Sequence, residues 1–377
     1  MGEAGFSRAG RTSQGVISAF FEFFWIRPSL IANGRKNAGP YAAHTLKMEH
    51  WILSGARVAL RWRDKSKMRI AIMGAGALGS YFGARLTACG ADVALIGRGA
   101  HLSAMQTQGL RVDSPKGDVH VLVNAASDPA DIGPVDCILL FVKTYDVAQA
   151  CADMAPMIGP QTFIVPFQNG VTAPGIVAQI CGAGRVLPGL ARIPAGIKAP
   201  GVVEHRSSVD TLVFGPIDPL DAASMANAKA LHQALEAAGT TPLISADITR
   251  DLWKKFILQS ATSAICALTR ADFGTILSDP QSAALISRAM DETAAVGRAE
   301  HPDFPPDMAA LAYEALKAFP GSVRASMLDD LERGKRLELP DISGEVARLG
   351  RKHGIKTPVH DVALGALSLY VQGRPKP

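Results

Sequence analysis

The chain has 377 residues, of which 48% are hydrophobic and 19% are charged. This length predicts two domains, and this composition excludes a disordered or fibrous protein. The formal net charge of +5 is unevenly distributed, because residues 1–67 contain 11 basic and 4 acidic residues, and residues 68–377 contain 28 basic and 30 acidic ones. The main part of the chain thus lacks a basic excess, and we expect no nucleic-acid partner.

The cysteine pattern argues against a disulfide framework or a metal site. No two cysteines form a C-x-x-C pair, and this usage favours a reducing, cytoplasmic location. The longest apolar run near the N-terminus, Val16–Ile26, is interrupted by Glu22. It is too short to span a bilayer, which takes roughly 20 apolar residues, and it lacks the cleavage pattern of a secretory signal. We therefore expect no metal and no membrane partner.

The first 67 residues differ from the rest of the chain. They show no sustained helical or strand period, and Pro28, Gly34 and Pro40 interrupt their apolar pieces. One interpretation is that translation naturally starts at Met68. The alternative is a targeting or membrane-surface arm, since the segment is rich in arginine and phenylalanine. We predict that residues 1–67 form an extension outside the fold.

A dinucleotide-binding pattern begins at Met68. The predicted strand Met68–Met73 is followed by a G-x-G-x-x-G loop, a predicted helix over Ser80–Cys89 and a second strand over Asp92–Ile96. Glycine-rich turns are common, but this order of elements within about thirty residues is typical of a dinucleotide site. The loop residues are Gly74, Ala75, Gly76, Ala77, Leu78 and Gly79.

Each glycine of this loop has a separate expected role. Gly74 permits the tight turn, Gly76 lets the backbone approach the pyrophosphate, and Gly79 allows the helix to pack closely on the strand. The residues after the second strand then indicate the cofactor. An NAD enzyme places Asp or Glu there, whereas this chain has Gly97-Arg98-Gly99. A guanidinium suits a ribose 2′-phosphate, so we predict NADP. The alternative is that Arg98 is a solvated loop residue.

Two further apolar runs predict buried parallel strands. Asp136–Val142 ends in Lys143-Thr144, and Thr162–Phe167 ends in Gln168-Asn169-Gly170-Val171. Ligands bind at the carboxyl ends of such strands, so Lys143 and Asn169 are predicted to form part of a nicotinamide pocket. Gly201–His205 and Thr211–Gly215 are predicted to be further, antiparallel strands.

From Asp247 onward the pattern is helical. On the predicted helix over residues 251–265, Lys255, Gln259 and Ser263 are four residues apart among apolar neighbours, which places them on one face. This stripe indicates a helix that faces a cavity, and the alternative is a partly exposed surface stripe. A second helix is predicted over Ser322–Gly334. Glu338 then follows between two leucines, either as a partly buried acid or as a surface residue.

Together these motifs resemble the ketopantoate reductase (2-dehydropantoate 2-reductase) family from Met68 to about Tyr370. The matching segments are GAGALGS, VKT, QNGV, LWKKF, SMLDDLERGKRLEL and GIKTPVHD. The resemblance implies an α/β fold, with an N-terminal Rossmann-type dinucleotide-binding domain over residues 68–246 and an all-helical substrate-binding and catalytic domain over residues 247–377. It also implies NADPH-dependent reduction of ketopantoate to pantoate, a step in pantothenate and coenzyme A biosynthesis, in the cleft between the domains.

The resemblance also implies roles for individual residues. The catalytic lysine and its acidic partner correspond to Lys255 and Glu338, and the substrate-binding serine corresponds to Ser326. The lysine and asparagine on the nicotinamide side correspond to Lys143 and Asn169, and the phosphate-reading arginine to Arg98. The family usually carries Asn one and two turns after the lysine, where this chain has Gln259 and Ser263.

Those two departures leave the substrate open. The expected partner is a small 2-oxo acid, with ketopantoate first, and the enzyme alternative is an NADP-dependent reductase of a different 2-oxo or 3-hydroxy acid. A non-catalytic NADP-binding regulator is a third possibility, against which the presence of both Lys255 and Glu338 argues. A monomer and a homodimer are equally compatible with the sequence.

Overall fold

The computed structural model describes residues 67–374. The predictions for residues 1–66, including an upstream start and a targeting arm, lie outside the described residues. Within residues 67–374 no helix is long and apolar enough to cross a membrane.

A five-stranded parallel sheet with the strand order β5-β2-β1-β6-β7 forms the centre of the N-terminal half. β1 pairs with β2 on one side and with β6 on the other. Ile70 of β1 and Ile138 of β6 are completely buried, as expected for strands covered on both faces. The strands are β1 (Arg69–Met73), β2 (Asp92–Ile96), β3 (Leu110–Asp113), β4 (Val119–Val121), β5 (Asn124–Ala126), β6 (Val135–Leu140) and β7 (Ile158–Pro166).

Helices cover both faces of this sheet, and a separate apolar cluster lies on each face. This doubly wound arrangement confirms the predicted Rossmann-type fold. The first helix begins at Ala77, three residues before the predicted start, because Gly76 already occupies the N-cap position. The helices are α1 (Ala77–Ala88), α2 (Gly99–Gln108), α3 (Val147–Asp153) and α4 (Ala173–Cys181).

Two smaller sheets complete the N-terminal half, in the orders β4-β3-β10-β9 and β12-β11-β8. The segments predicted as antiparallel strands became β10 and β11, and each of them is in fact mixed. β10 pairs antiparallel with β9 and parallel with β3, and β11 pairs antiparallel with β8 and parallel with β12. The added elements are β8 (Gly189–Arg192), β9 (Ala195–Ala199), β10 (Val202–His205), β11 (Thr211–Phe214), α5 (Ala222–Ala237) and β12 (Thr241–Ile244).

Residues 248–374 contain no strand, which confirms the predicted all-helical C-terminal half. The 22-residue helix α6 packs against several of the other helices, so almost all of its later residues are buried. The helices are α6 (Ile248–Thr269), α7 (Phe273–Ser278), α8 (Pro280–Glu300), α9 (Met308–Lys317), α10 (Ser326–Glu332), α11 (Ser343–His353) and α12 (Pro358–Leu367).

The helix predicted over Ser322–Gly334 is shorter than expected. It begins only at Ser326, because the preceding backbone pairs with the start of α7. Phe273 N donates to the Val323 carbonyl at 2.9 Å, and Gly274 N donates to the Gly321 carbonyl at 2.7 Å. Carbonyls used in this way are not available for a helical turn. The predicted C-terminal glycine is present, since Gly334 has a φ of +65° just beyond the helix end.

Strand β8 of the N-terminal half packs against the first helix of the C-terminal half. Leu190 lies in an apolar cluster with Ile248 and Leu252 of α6, whereas the neighbouring Ala191 belongs to the cluster on the other side of the strand. One face of β8 therefore contacts the first two turns of α6.

Candidate active site

The glycine loop leaves space in front of α1. A Cβ at Gly79 would lie 2.3 Å from the Gly74 carbonyl oxygen, and one at Gly74 would lie 2.7 Å from Val142 N. Gly76 differs from both, because a Cβ placed there meets nothing within 4 Å. The backbone packs so closely at Gly74 and Gly79 that a side chain would not fit there. The open space at Gly76 fits a group that approaches the backbone, as a pyrophosphate does.

The N-terminus of α1 offers hydrogen-bond donors at this space. Ser80 N donates to the Gly76 carbonyl at 2.9 Å, so the helical bonding begins only there. The earlier N–H groups of a helix have no partner within it, and the helix dipole favours an anion beside them. The first turn carries no acidic residue that would repel a phosphate. The open space at Gly76 and the N-terminal N–H groups of α1 therefore fit the pyrophosphate of a dinucleotide.

Arg98 lies between β2 and α2 and remains accessible. Its side chain is 91% exposed, and its guanidinium is 3.5 Å from the carboxylate of Asp146. Arg336 approaches the same carboxylate at 3.9 Å. The adjacent Gly97 contacts Ala75 of the glycine loop, since a Cβ at Gly97 would lie 3.3 Å from the Ala75 side chain. Arg98 thus emerges directly beside the loop, where a bound adenosine ribose is expected in this fold.

A charged cluster joins the end of β6 to the helical half. Lys143 Nζ lies 2.9 Å from the Glu338 carboxylate and 2.8 Å from that of Asp330 on α10. Thr144 adds two hydrogen bonds to Glu338, from its hydroxyl at 3.0 Å and from its backbone N–H at 3.3 Å. Glu338 is 5% exposed, so it is the buried acid and not the surface residue of the two alternatives.

These contacts set the charges of the pair. Burial would raise the pKa of Glu338, but the neighbouring Lys143 ammonium and the Thr144 hydrogen bonds lower it below its ordinary value. Burial would likewise lower the pKa of Lys143, and the Glu338 and Asp330 carboxylates outweigh that effect and raise it. Both groups are therefore charged at neutral pH.

Asn169 links this cluster to Lys255. The Lys255 ammonium donates to Asn169 Oδ1 at 3.3 Å and to the Ala191 carbonyl at 3.0 Å. Asn169 Nδ2 in turn donates to Glu338 at 3.4 Å. The family resemblance implies that Glu338 is the acidic partner of Lys255. In the structure, Lys143 is the ion-pair partner of Glu338, and Asn169 lies between Glu338 and Lys255.

The environment of Lys255 lowers its pKa to about 8. Burial is the largest cause, the nearby Arg192 guanidinium adds to it, and Glu338 opposes both. An amine with a pKa this close to neutrality can donate and recover a proton, as a general acid must.

Of the other predicted substrate-binding residues, Gln259 and Ser263 lie on α6 with Lys255, and Ser326 lies on α10. Gln259 Oε1 accepts from Gly170 N at 3.3 Å, so this side chain reaches the QNGV loop one turn after Lys255. Ser263 is 3% exposed and lies deeper in α6. Ser326 is exposed at the start of α10. The structure thus gathers Lys143, Asn169, Lys255 and Glu338 and places Gln259 beside them.

Three residues outside the predicted set belong to this site: Thr144, Asp330 and Arg192. Asp330 carried a sequence signal, as an acid one turn before Gly334 within the matched SMLDDLERGKRLEL segment. Arg192 carried another, as a single cation in the otherwise uncharged stretch Val186–Ala195. Among the described residues, no group of three or more His, Cys, Asp or Glu side chains could hold a metal ion.

The fold and this cluster of charged and polar side chains define a two-part oxidoreductase that uses a nicotinamide dinucleotide. Family models described as "Ketopantoate reductase PanE/ApbA" and its "C terminal" match residues 70–219 and 247–371. The chain therefore belongs to the ketopantoate reductase family.

Known relatives extend over most of the chain. A 2-dehydropantoate 2-reductase of Mesorhizobium japonicum is 29% identical over 79% of this chain and 96% of its own length. The crystal structure of a PanE/ApbA family ketopantoate reductase from Ralstonia eutropha JMP134 is 31% identical, covers 81% of this chain and 98% of its own, and has a TM-score of 0.74. A ternary structure of D-mandelate dehydrogenase with NADH and anilino(oxo)acetate is 23% identical over 81% of this chain and 98% of its own, with a TM-score of 0.74, and shows the same fold.

Proposed function

We propose that this protein reduces ketopantoate to pantoate with NADPH, a step of pantothenate and coenzyme A biosynthesis in the cytoplasm. The observation that carries the proposal is the position of Lys255, whose ammonium lies between Asn169 and the Ala191 carbonyl and has a pKa of about 8. Membership of the ketopantoate reductase family supports the substrate class, and several relatives at 28–29% identity carry the name 2-dehydropantoate 2-reductase.

The bound cofactor would supply a hydride to the ketone carbon, and the residues of this chain would manage the resulting charge. Negative charge develops on the ketone oxygen, and the Lys255 ammonium stabilises it and then donates a proton. Asn169 orients that ammonium through its Oδ1 atom. Glu338, whose charge is held by Lys143 and Thr144, keeps the local field favourable to the protonated amine.

Residues 74–79 and Arg98 would bind the cofactor, and Lys143 and Asn169 would line its nicotinamide end. Preference for NADPH over NADH is supported by the accessible guanidinium of Arg98 and by the absence of an acidic residue in Gly97–Gly99 at the end of β2. Gln259, Ser263 and Ser326 would complete the substrate side of the cleft.

A spectrophotometric panel tests this proposal. Purified protein is mixed with NADPH or NADH and with ketopantoate, other branched 2-oxo acids or aromatic 2-oxo acids, and the loss of absorbance at the reduced nicotinamide band is followed. We expect the highest kcat/KM with ketopantoate and NADPH. A higher value for an aromatic acid with NADH would instead favour an activity of the D-mandelate dehydrogenase type, and no oxidation with any acid would refute the reductase.

A further inference from the structure

A 2-oxo acid presents a ketone and a carboxylate, and the proposed site so far supplies a cation only for the ketone, since Gln259, Ser263 and Ser326 are neutral. Lys255 serves the ketone oxygen. The substrate carboxylate needs a cation or several hydrogen-bond donors. Lys143 is committed to two carboxylates, and Ser326 is an exposed neutral residue.

The strand that contacts α6 carries a cation at the required place. Leu190 packs against Ile248 and Leu252, and side chains alternate along a strand, so Arg192 projects from the same face of β8 as Leu190. On α6, Lys255 follows Leu252 by three residues and Ile248 by seven, which places all three on one face of the helix. Arg192 therefore faces the turn of α6 that carries Lys255.

A backbone contact brings the Lys255 ammonium to the part of β8 that carries Arg192. The Lys255 ammonium donates to the carbonyl of Ala191, the residue directly before Arg192, at 3.0 Å. The charge of Arg192 also lowers the pKa of Lys255, and burial lowers the pKa of Arg192 itself to about 10, against the opposing charge of Asp251. Two neighbouring cations, one on β8 and one on α6, suit a ligand that carries a carboxylate.

We propose that Arg192 binds the carboxylate of the 2-oxo acid substrate while Lys255 acts on its ketone, so that Arg192 determines specificity for acids over neutral ketones. This inference rests on the proposed function.

The test compares an acid with its uncharged analogue. Wild-type protein, Arg192→Gln and Arg192→Lys are assayed with NADPH against the best 2-oxo acid of the panel and against its primary amide. In Arg192→Gln we expect KM for the acid to rise on the order of 100-fold, while kcat/KM for the amide changes less than about threefold. Arg192→Lys should recover part of the loss. Arg250→Gln, at an exposed arginine on the first turn of α6, is the matched control and should leave both substrates unchanged.

The outcomes separate the two proposals. If the wild-type protein reduces no 2-oxo acid, the proposed function has failed. If it does, but Arg192→Gln keeps the wild-type KM for the acid, Arg192 does not bind the carboxylate. Equal losses with the acid and the amide would show a purely structural role and would also overturn the inference. Thermal melts of each variant establish that it is folded.

Discussion

The rate of reduction should depend on pH through Lys255. The proposed mechanism requires the protonated amine of Lys255, and burial lowers the pKa of that group to about 8. The protonated fraction of such a group falls from roughly 0.9 at pH 7 to roughly 0.1 at pH 9, so kcat/KM for the 2-oxo acid should fall about tenfold over this range. Oxidation of the 2-hydroxy acid needs the neutral amine, and its rate should rise over the same interval.

Substitution of the lysine then identifies the titrating group. Lys255→Ala should lower turnover on the order of 10²–10⁴-fold, which is the usual contribution of a positioned general acid, and should abolish the loss of rate around pH 8. Binding of NADPH, measured by fluorescence titration, should hardly change, because the glycine loop lies in the other half of the chain. Lys254→Ala is the control, since this neighbour projects about 100° further around the helix.

Steady-state rates with NADPH from pH 6 to pH 10 decide the matter. If the rate of the Lys255→Ala variant still fell around pH 8, the titrating group would be a residue other than Lys255. If Lys254→Ala lowered turnover strongly and Lys255→Ala lowered it only slightly, the catalytic face of α6 would have been misassigned.

Four other predictions follow from the same structure. Arg98→Asp should shift the ratio of kcat/KM values from NADPH toward NADH, and unchanged Michaelis constants for NADPH would exclude Arg98 as the phosphate-binding residue. Deleting residues 1–66 should preserve the thermal transition and the turnover, because the two matched family domains begin at residue 70; a lost transition would contradict this. Glu338→Gln should reduce turnover less than removal of the lysine and should move the basic limb below pH 8, since the carboxylate charge raises that pKa. Gly79→Ala should lower stability by about 1–3 kcal/mol in denaturant titrations, because its Cβ would lie 2.3 Å from a backbone oxygen, whereas Gly76→Ala, with open space there, should stay stable and weaken NADPH binding.

The sequence predicted local elements well where a single pattern determines them. β2 was predicted with its observed bounds, Asp92–Ile96, because a buried parallel strand is a short apolar run between turn residues. The start of α10 was missed, since it depends on backbone bonds to Phe273 and Gly274 some fifty residues earlier in the chain. No local pattern contains that information.

The same limit applies to the site. Spacing placed Lys255 and Gln259 on one face, because both lie on one helix. The pairing of Lys143 with Glu338 joins residues 195 positions apart and depends on how the two halves meet. The family resemblance therefore gave Lys255 as the partner of Glu338. The contribution of Asp330 was not predicted.

The two ion pairs of Lys143 also restrict how the two halves can move relative to each other. Its ammonium comes from the loop after β6, and both of its carboxylate partners come from the helical half. A hinge motion that opened this end would separate three charges and leave Glu338 buried without its cation, at a cost of several kcal/mol. The loop after β6 and the helical half should therefore stay in contact here throughout turnover.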